Sequence, residues 1–313
     1  MRLLLAFEHW SLAAGWHYVN AFRRLGHDVR TAGTYISGDK YWAGDKKTWQ
    51  PNVEFGPHTG PGWFDAPASV ALDELYKYDK WTPDAIITAS GFFTLSGKTD
   101  MPHLVVSFEP PEYNVGYNRP GIHYDYEFAA TPANPSIGNG TCEYLPMGYD
   151  PALHKNIIPL KYRPIVASVV GRMDDERKDF VKALMEDTWV VAGSGITPHQ
   201  YVTVTNTARS SIYYPLYPNT GVSNRAFEAA AMGAIYISPQ NDATDKIGMI
   251  PDVTYLAYDG TVESCKQQIN RSYSEGIEWS QAIVDRATEW VREHTYDARC
   301  ERMIEVIRQG VGA

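Results

Sequence analysis

The chain has 313 residues, 44% apolar and 21% charged, enough for about two domains with packed cores, which excludes disorder as the main state. Its 28 Lys+Arg against 37 Asp+Glu leave a formal charge of −9, so it is no general nucleic-acid coat, although a local basic strip stays open. Cys142, Cys265 and Cys300 are far apart and form no CxxC, and no apolar run reaches the ~18–20 residues of a membrane span, nor does the start before Glu8-His9 give a secretion signal; the expectation is a cytoplasmic protein without a disulfide frame.

Residues 2–7 read as a short buried strand. Tyr18, Phe22 and Leu25 then repeat at helical spacing, and Gly26 closes that helix before a strand over 27–32. Strand, helix and strand in this order make a βαβ unit and hence a parallel sheet. Residues 35–69, rich in Gly, Pro and Trp without sustained period, read as long loops; a helix is expected over 70–78 and strands over 83–89, 102–108 and 127–130. Pro146, Pro151, Pro159 and Pro164 mark 147–164 as a linker. A second half repeats the pattern. Strands are expected over 165–170, 189–192, 211–214 and 234–238, and helices over 179–185, 223–232, 261–275 and 279–309, the last with a break near His294-Thr295. The expected architecture is therefore α/β, two Rossmann-like domains facing across a cleft. The expected borders are 1–155, 156–290 and a C-terminal helix over 291–313.

The most informative segment is Ser223-Asn224-Arg225-Ala226-Phe227-Glu228, followed by three alanines, Met232 and Gly233. Ser223 is a candidate N-cap, and a helix N-terminus offers unpaired N–H groups and partial positive charge to a phosphate. Arg225 can add a charge-assisted contact, and Glu228, one turn deeper, can accept two hydrogen bonds from vicinal ribose hydroxyls. The plain alternative is a helix whose Arg and Glu pair on the surface. Gly171-Arg172 after a buried strand, with Lys178 six residues on, forms a second candidate site. Two fixed cations there would stabilise a diphosphate as it leaves. The intervening Asp174-Asp175-Glu176 is unexpectedly acidic for that role.

The 224–228 segment resembles the nucleotide-binding helix of the GT-B glycosyltransferases, in particular the CgeB-like, spore-maturation-protein branch with its N-x-R-x-F-E pattern, at approximate spacing. Leu145-Pro146-Met147-Gly148-Tyr149-Asp150-Pro151 with His154 is similar to the interdomain L-P-x-x-x-D-P-x-x-H of that branch, and His294-Thr295-Tyr296-Asp297-Ala298-Arg299 to its H-T-Y-x-x-R. Gly171, Arg172 and Lys178 resemble the donor-diphosphate pair of retaining, family-4-like enzymes. The resemblance covers the linker and most of the second half, and it implies the GT-B fold, in which the C-terminal helix over 291–313 crosses back to the first domain. One departure stands out: the family's first glutamate of E-x7-E would fall at Thr220.

The resemblance implies transfer of a sugar from a nucleotide-diphosphate donor, a UDP-sugar foremost, to an acceptor hydroxyl. It implies retention, with Arg172 and Lys178 catalytic and Gly171, Ser223, Asn224, Arg225 and Glu228 holding the donor. On the N-terminal side Gly15 sits where a helix start could approach phosphates, and His9 and Glu109 are candidates for a general base. There is no HExxH or D-x-D, so no metal and no cofactor beyond the donor is expected. The acceptor is open: glycan, small molecule, protein or a modified DNA base. Lys40, Lys46 and Lys47 interleaved with Tyr41, Trp42 and Trp49 would suit a flipped base. A nucleotide- or sugar-binding module without turnover is the remaining reading.

Overall fold

A computed structural model describes residues 1–9, 13–36, 50–58, 64–89, 93–108, 121–132, 141–215 and 221–310. The chain divides into two compact units, one of Met1–Pro146 with Tyr296–Ala313 and one of Met147–Thr295.

The first unit is built on β1 (Arg2–Ala6), α1 (Ala14–Arg24), β2 (Asp28–Ile36), β3 (Val53–His58), β4 (Phe64–Pro67), α2 (Ala68–Asp79), β5 (Ala85–Ala89), β6 (Phe93–Ser96), β7 (His103–Ser107), β8 (Tyr126–Ala129) and β9 (Thr141–Tyr144). Its main sheet runs β3-β2-β1-β5-β7-β8-β9, with every pairing parallel. β5 and β7 are buried along their whole length, as parallel strands covered on both faces require. The expectation of loops over 35–69 is corrected by β3 and β4. β3 carries Gly56 and Pro57, which hide its period, and it tolerates them because it is an edge strand. β6, which pairs with β4, also escaped the sequence reading.

The last helix, α9 (Tyr296–Arg308), belongs to this unit and packs on α1. Tyr296 stacks on His17 at 4.8 Å and meets Tyr18 edge-on at 5.0 Å. Met303, Ile304 and Ile307 join the core that also holds Phe22, Leu5 and Val106. Two arginine forks fix the rim: Arg24 on Asp297 (2.6 Å) and Arg302 on Glu143 (2.8 Å).

The second unit contains β10 (Ile165–Val170), α3 (Asp175–Met185), β11 (Val190–Gly193), α4 (Pro198–Thr207), β12 (Ala208–Ile212), α5 (Asn224–Ala231), β13 (Ile235–Pro239), α6 (Asp242–Lys246), β14 (Leu256–Tyr258), α7 (Val262–Ser274) and α8 (Ile277–Val291). The sheet order is β11-β10-β12-β13-β14, again all parallel. α3 starts four residues before the expected position because Asp174 caps it, its carboxylate accepting from Arg177 N at 2.9 Å. α4 was not foreseen, although Thr197-Pro198-His199-Gln200 is a complete capping box with proline in the first turn. β14 and α6 are three and five residues long, too short to show a period.

Arg163 holds this unit together from inside. Its guanidinium, 2% exposed, donates to the carbonyls of Thr205, Ala208 and Met232 at 3.2, 3.0 and 2.5 Å. These lie at the C-terminal ends of α4 and α5, where a cation is worth up to about 2 kcal/mol. Burial pulls its pKa down to about 10, so it stays charged at neutral pH. The segments that enter and leave the unit run side by side, with Tyr149 N donating to His294 O at 3.0 Å.

Candidate functional site

The second unit's sheet has its topological switch between β10 and β12: from β10 the chain first moves to β11 and then returns to the other side. Ligands of open parallel sheets bind outside the carboxyl ends of the strands at such a point. Three segments meet this edge: residues 171–174 after β10, 213–215 after β12, and 221–223 leading into α5.

Ser223 is the N-cap of α5, as expected, and its Oγ accepts from Arg225 N at 3.3 Å. No acidic residue stands in the first turn of α5, so beyond the Ser223 cap no carboxylate of that turn offsets its positive end. α3 differs: Asp175 and Glu176 occupy its first turn. This explains the acidic stretch that looked out of place beside a diphosphate. Those carboxylates serve the α3 dipole, and Asp175 pairs with Lys178 at 2.9 Å.

Glu228 is 2% exposed and sits one turn into α5. Its Oε1 accepts from Asn224 Nδ2 at 2.9 Å and its Oε2 from Arg225 Nη1 at 2.7 Å. His154 Nε2 faces Oε1 at 3.8 Å. Asp150 N donates to His154 Nδ1 at 3.0 Å, which leaves the ring proton on Nε2, towards the carboxylate. Arg225 lies over the Tyr201 ring, 4.2 Å from its centroid. Burial opposes the Arg225 charge, but Tyr201 and Glu228 outweigh it and hold its pKa above the usual arginine value. Burial, with Glu228 beside it, likewise pushes the Tyr201 phenol far up. The surface-pair alternative for this helix therefore fails: its Glu is in the interior.

Three motifs noted separately in the sequence converge here. His154 comes from the 145–154 stretch and Glu228 from the 224–228 stretch. From the third, His294 packs against Phe227 at 5.3 Å, and Phe227 stacks on Trp290 at 5.4 Å. The sequence reading gave no role to Tyr201, because α4 itself was not foreseen, and treated His154 only as part of the linker.

Arg172 is exposed. Lys178 is also exposed, 60% for its side chain, and the Asp175 hydrogen bond raises its pKa. Gly171 has φ +153, and a Cβ there would come within 2.9 Å of Arg177 Nη1. Arg177, unnoticed in the sequence, is buried and donates to Arg172 O at 2.6 Å and to Tyr214 O.

The remaining predicted residues lie in the first unit. His9 is fully buried, stacked on Phe7 at 4.1 Å and edge-on to Trp16 at 5.1 Å. Gly15 is buried at the start of α1, where a Cβ would fall 2.3 Å from the Phe7 ring; its smallness has a packing reason. Glu109, Thr220 and the 40–49 stretch lie outside the described residues. Among the described residues, no group of three or more His, Cys, Asp or Glu is placed to hold a metal, and no helix is long and apolar enough to cross a membrane.

Comparison with known structures decides the fold. Sucrose-phosphate synthase from Thermosynechococcus elongatus superposes with a TM-score of 0.62 at 13% identity, covering 98% of this chain and 99% of that one. This is the GT-B fold, with two Rossmann-like domains. An alpha-glucosyltransferase in complex with UDP and a 13-mer DNA gives a TM-score of 0.66 at 10% identity, over 98% of this chain and 100% of that one. The pneumococcal O-GlcNAc transferase in complex with UDP and GlcNAc gives 0.60 at 9% identity, over 100% and 99%. Residues 168–305, most of the second unit together with part of α9, match the family described as Glycosyl transferase-like. No curated protein sequence matches the chain.

Proposed function

We propose that this GT-B protein is a metal-independent, retaining glycosyltransferase that moves a sugar, most simply a hexose, from a UDP-sugar to an acceptor hydroxyl. The observation that carries the reading is the Glu228 constellation: a buried carboxylate, fixed by Asn224, Arg225 and His154, one turn below a helix N-terminus free of acids at the carboxyl edge of a parallel sheet. A carboxylate so oriented accepts from the two hydroxyls of a ribose, while the α5 N–H groups face the diphosphate. Arg172 and Lys178 supply the charge that the departing UDP needs as the glycosidic bond breaks. Retention follows if the departing phosphate oxygen takes the acceptor proton on the same sugar face, which removes the need for a separate base; His9, stacked among aromatic rings, is poorly placed to act as one. The neighbours that bind UDP support the choice of nucleotide. The CgeB-like affiliation rests on the three motifs that meet at α5, His154 at Glu228 and His294 at Phe227. Three free cysteines suit a cytoplasmic enzyme.

Neighbours of this fold include a sucrose-phosphate synthase and an enzyme crystallised with DNA, so the fold itself does not choose the acceptor. The test is a melting-temperature screen of nucleotide sugars in EDTA, followed by a donor-hydrolysis assay. A donor that binds raises the Tm by mass action. UDP-glucose should raise it and be hydrolysed without metal. Binding without hydrolysis or transfer would make the protein a nucleotide-binding module, and absence of any shift would remove the donor site altogether.

A further inference from the structure

Arg177 stands apart from the cations already assigned. Its side chain is 6% exposed, and no carboxylate among the described residues forms an ion pair with it. Its Nη1 donates to Arg172 O at 2.6 Å and its Nη2 to Tyr214 O. These carbonyls belong to the loops that leave β10 and β12, the two strands that flank the switch point. Its backbone N–H is held by the Asp174 carboxylate at 2.9 Å, so main chain and side chain are both fixed. Gly171 makes room for the guanidinium, because a Cβ at that position would lie 2.9 Å from Nη1. The buried Nε–H donates to no acceptor among the described residues.

We propose that Arg177 is a positioning residue of the donor site: it ties the Arg172 carbonyl to the Tyr214 carbonyl and so fixes the backbone from which Arg172 meets the terminal phosphate of a nucleoside diphosphate. This rests on the donor-site reading above. A guanidinium suits the task because its planar fork reaches two acceptors at fixed separation, whereas an ammonium is a point charge that cannot bridge them in the same way. Burial lowers the Arg177 pKa, with Asp174 partly offsetting it, and the guanidinium, hydrogen-bonded to two neutral carbonyls, places a positive charge beneath the loop that is to hold an anion. Gly171, which the sequence alone assigns to the phosphate, acts here by admitting Arg177.

The test uses the full chain and calorimetric titration with UDP and with UMP, which differ by the terminal phosphate. In Arg177→Lys and Arg177→Met the Kd for UDP should rise ten-fold or more, while that for UMP changes less than two-fold. Gly171→Ala should weaken UDP as well, but at φ +153 it also strains the backbone, so the Arg177 variants carry the test. A role confined to stability would weaken UDP and UMP alike. That outcome, or an unchanged UDP affinity in Arg177→Met, overturns the clamp and leaves the donor site standing. A wild-type protein that binds neither nucleotide overturns the donor reading and the clamp together.

Discussion

His154 Nε2 lies 3.8 Å from Glu228 Oε1, and both side chains are only 2% exposed. The two residues are 74 positions apart in sequence, and nothing local brings them together. The Asp150 amide fixes the imidazole tautomer, and the imidazole in turn faces the carboxylate. Glu228→Gln should abolish the Tm rise given by UDP-glucose. It should also destabilise the unit, at the low end of the ~3–5 kcal/mol for breaking a buried pair, because Arg225 keeps some access to water. His154→Leu should cost about 1–2 kcal/mol in urea unfolding and weaken the UDP-glucose shift. Full stability and a full shift in His154→Leu would show that the ring does not orient the carboxylate.

Arg172 and Lys178 offer the opposite case. Both are exposed, and the Lys178–Asp175 pair sits where solvent screens it. Their replacement by Ala should leave the melting temperature unchanged. The rate of UDP-glucose turnover should fall by about 10²–10³ for each, the scale of losing a charge aimed at a transition state. Near-normal turnover in both variants would remove them from the donor site.

The legible part of this molecule was its periodic part. The buried apolar runs of β1, β5, β7, β10 and β13 announced parallel sheets, and the Ser223 cap with its alanine-rich helix placed α5 correctly. What was not legible falls into two kinds. β3 carries a Gly-Pro pair that only an edge strand tolerates, and β14 is three residues long; neither shows a period. The partners of the site are the second kind. His154, Tyr201 and Arg177 reach Glu228, Arg225 and the Arg172 carbonyl through the fold of the unit, which no spacing encodes. α4 was a missed signal rather than a hidden one, since its capping box is written in four consecutive residues.

Three glycines in the first unit should rank by what a methyl group would strike. At Gly33 a Cβ would lie 1.8 Å from the Phe7 carbonyl oxygen, which is backbone held between the Ala32 and Thr34 pairings. At Gly15 it would lie 2.3 Å from the Phe7 ring, which can shift slightly. At Gly26 it would meet nothing within 4 Å, but φ is +82. Substitution by Ala should therefore cost more than about 3 kcal/mol at Gly33, about 1–3 kcal/mol at Gly15 and about 1 kcal/mol at Gly26. Urea unfolding of the three variants checks the order; a Gly33→Ala protein as stable as Gly26→Ala would contradict the close approach of β2 to Phe7.

Acid should loosen the first unit through His103. This ring is 2% exposed, its Nε2 is 2.9 Å from Thr88 Oγ1, and burial lowers its pKa from 6.5 to about 4. The unfolded chain takes up a proton there near pH 6.5, but the folded chain does so only near pH 4. Unfolding thus binds a proton in that window, and the stability that His103 contributes is complete above pH 6.5 and lost as the pH falls towards 4. The loss approaches about 1.4 kcal/mol per pH unit, or roughly 3 kcal/mol across the window. Half-buried carboxylates such as Glu143, whose pKa its Arg302 hydrogen bonds lower, add their own acid sensitivity, so the His103 part must be read as a difference. Urea unfolding of wild type and His103→Gln between pH 4 and 7.5 isolates it. The variant should start less stable at pH 7.5 and fall more gently, so that the two curves converge towards pH 4; parallel curves would mean that His103 titrates alike in both states.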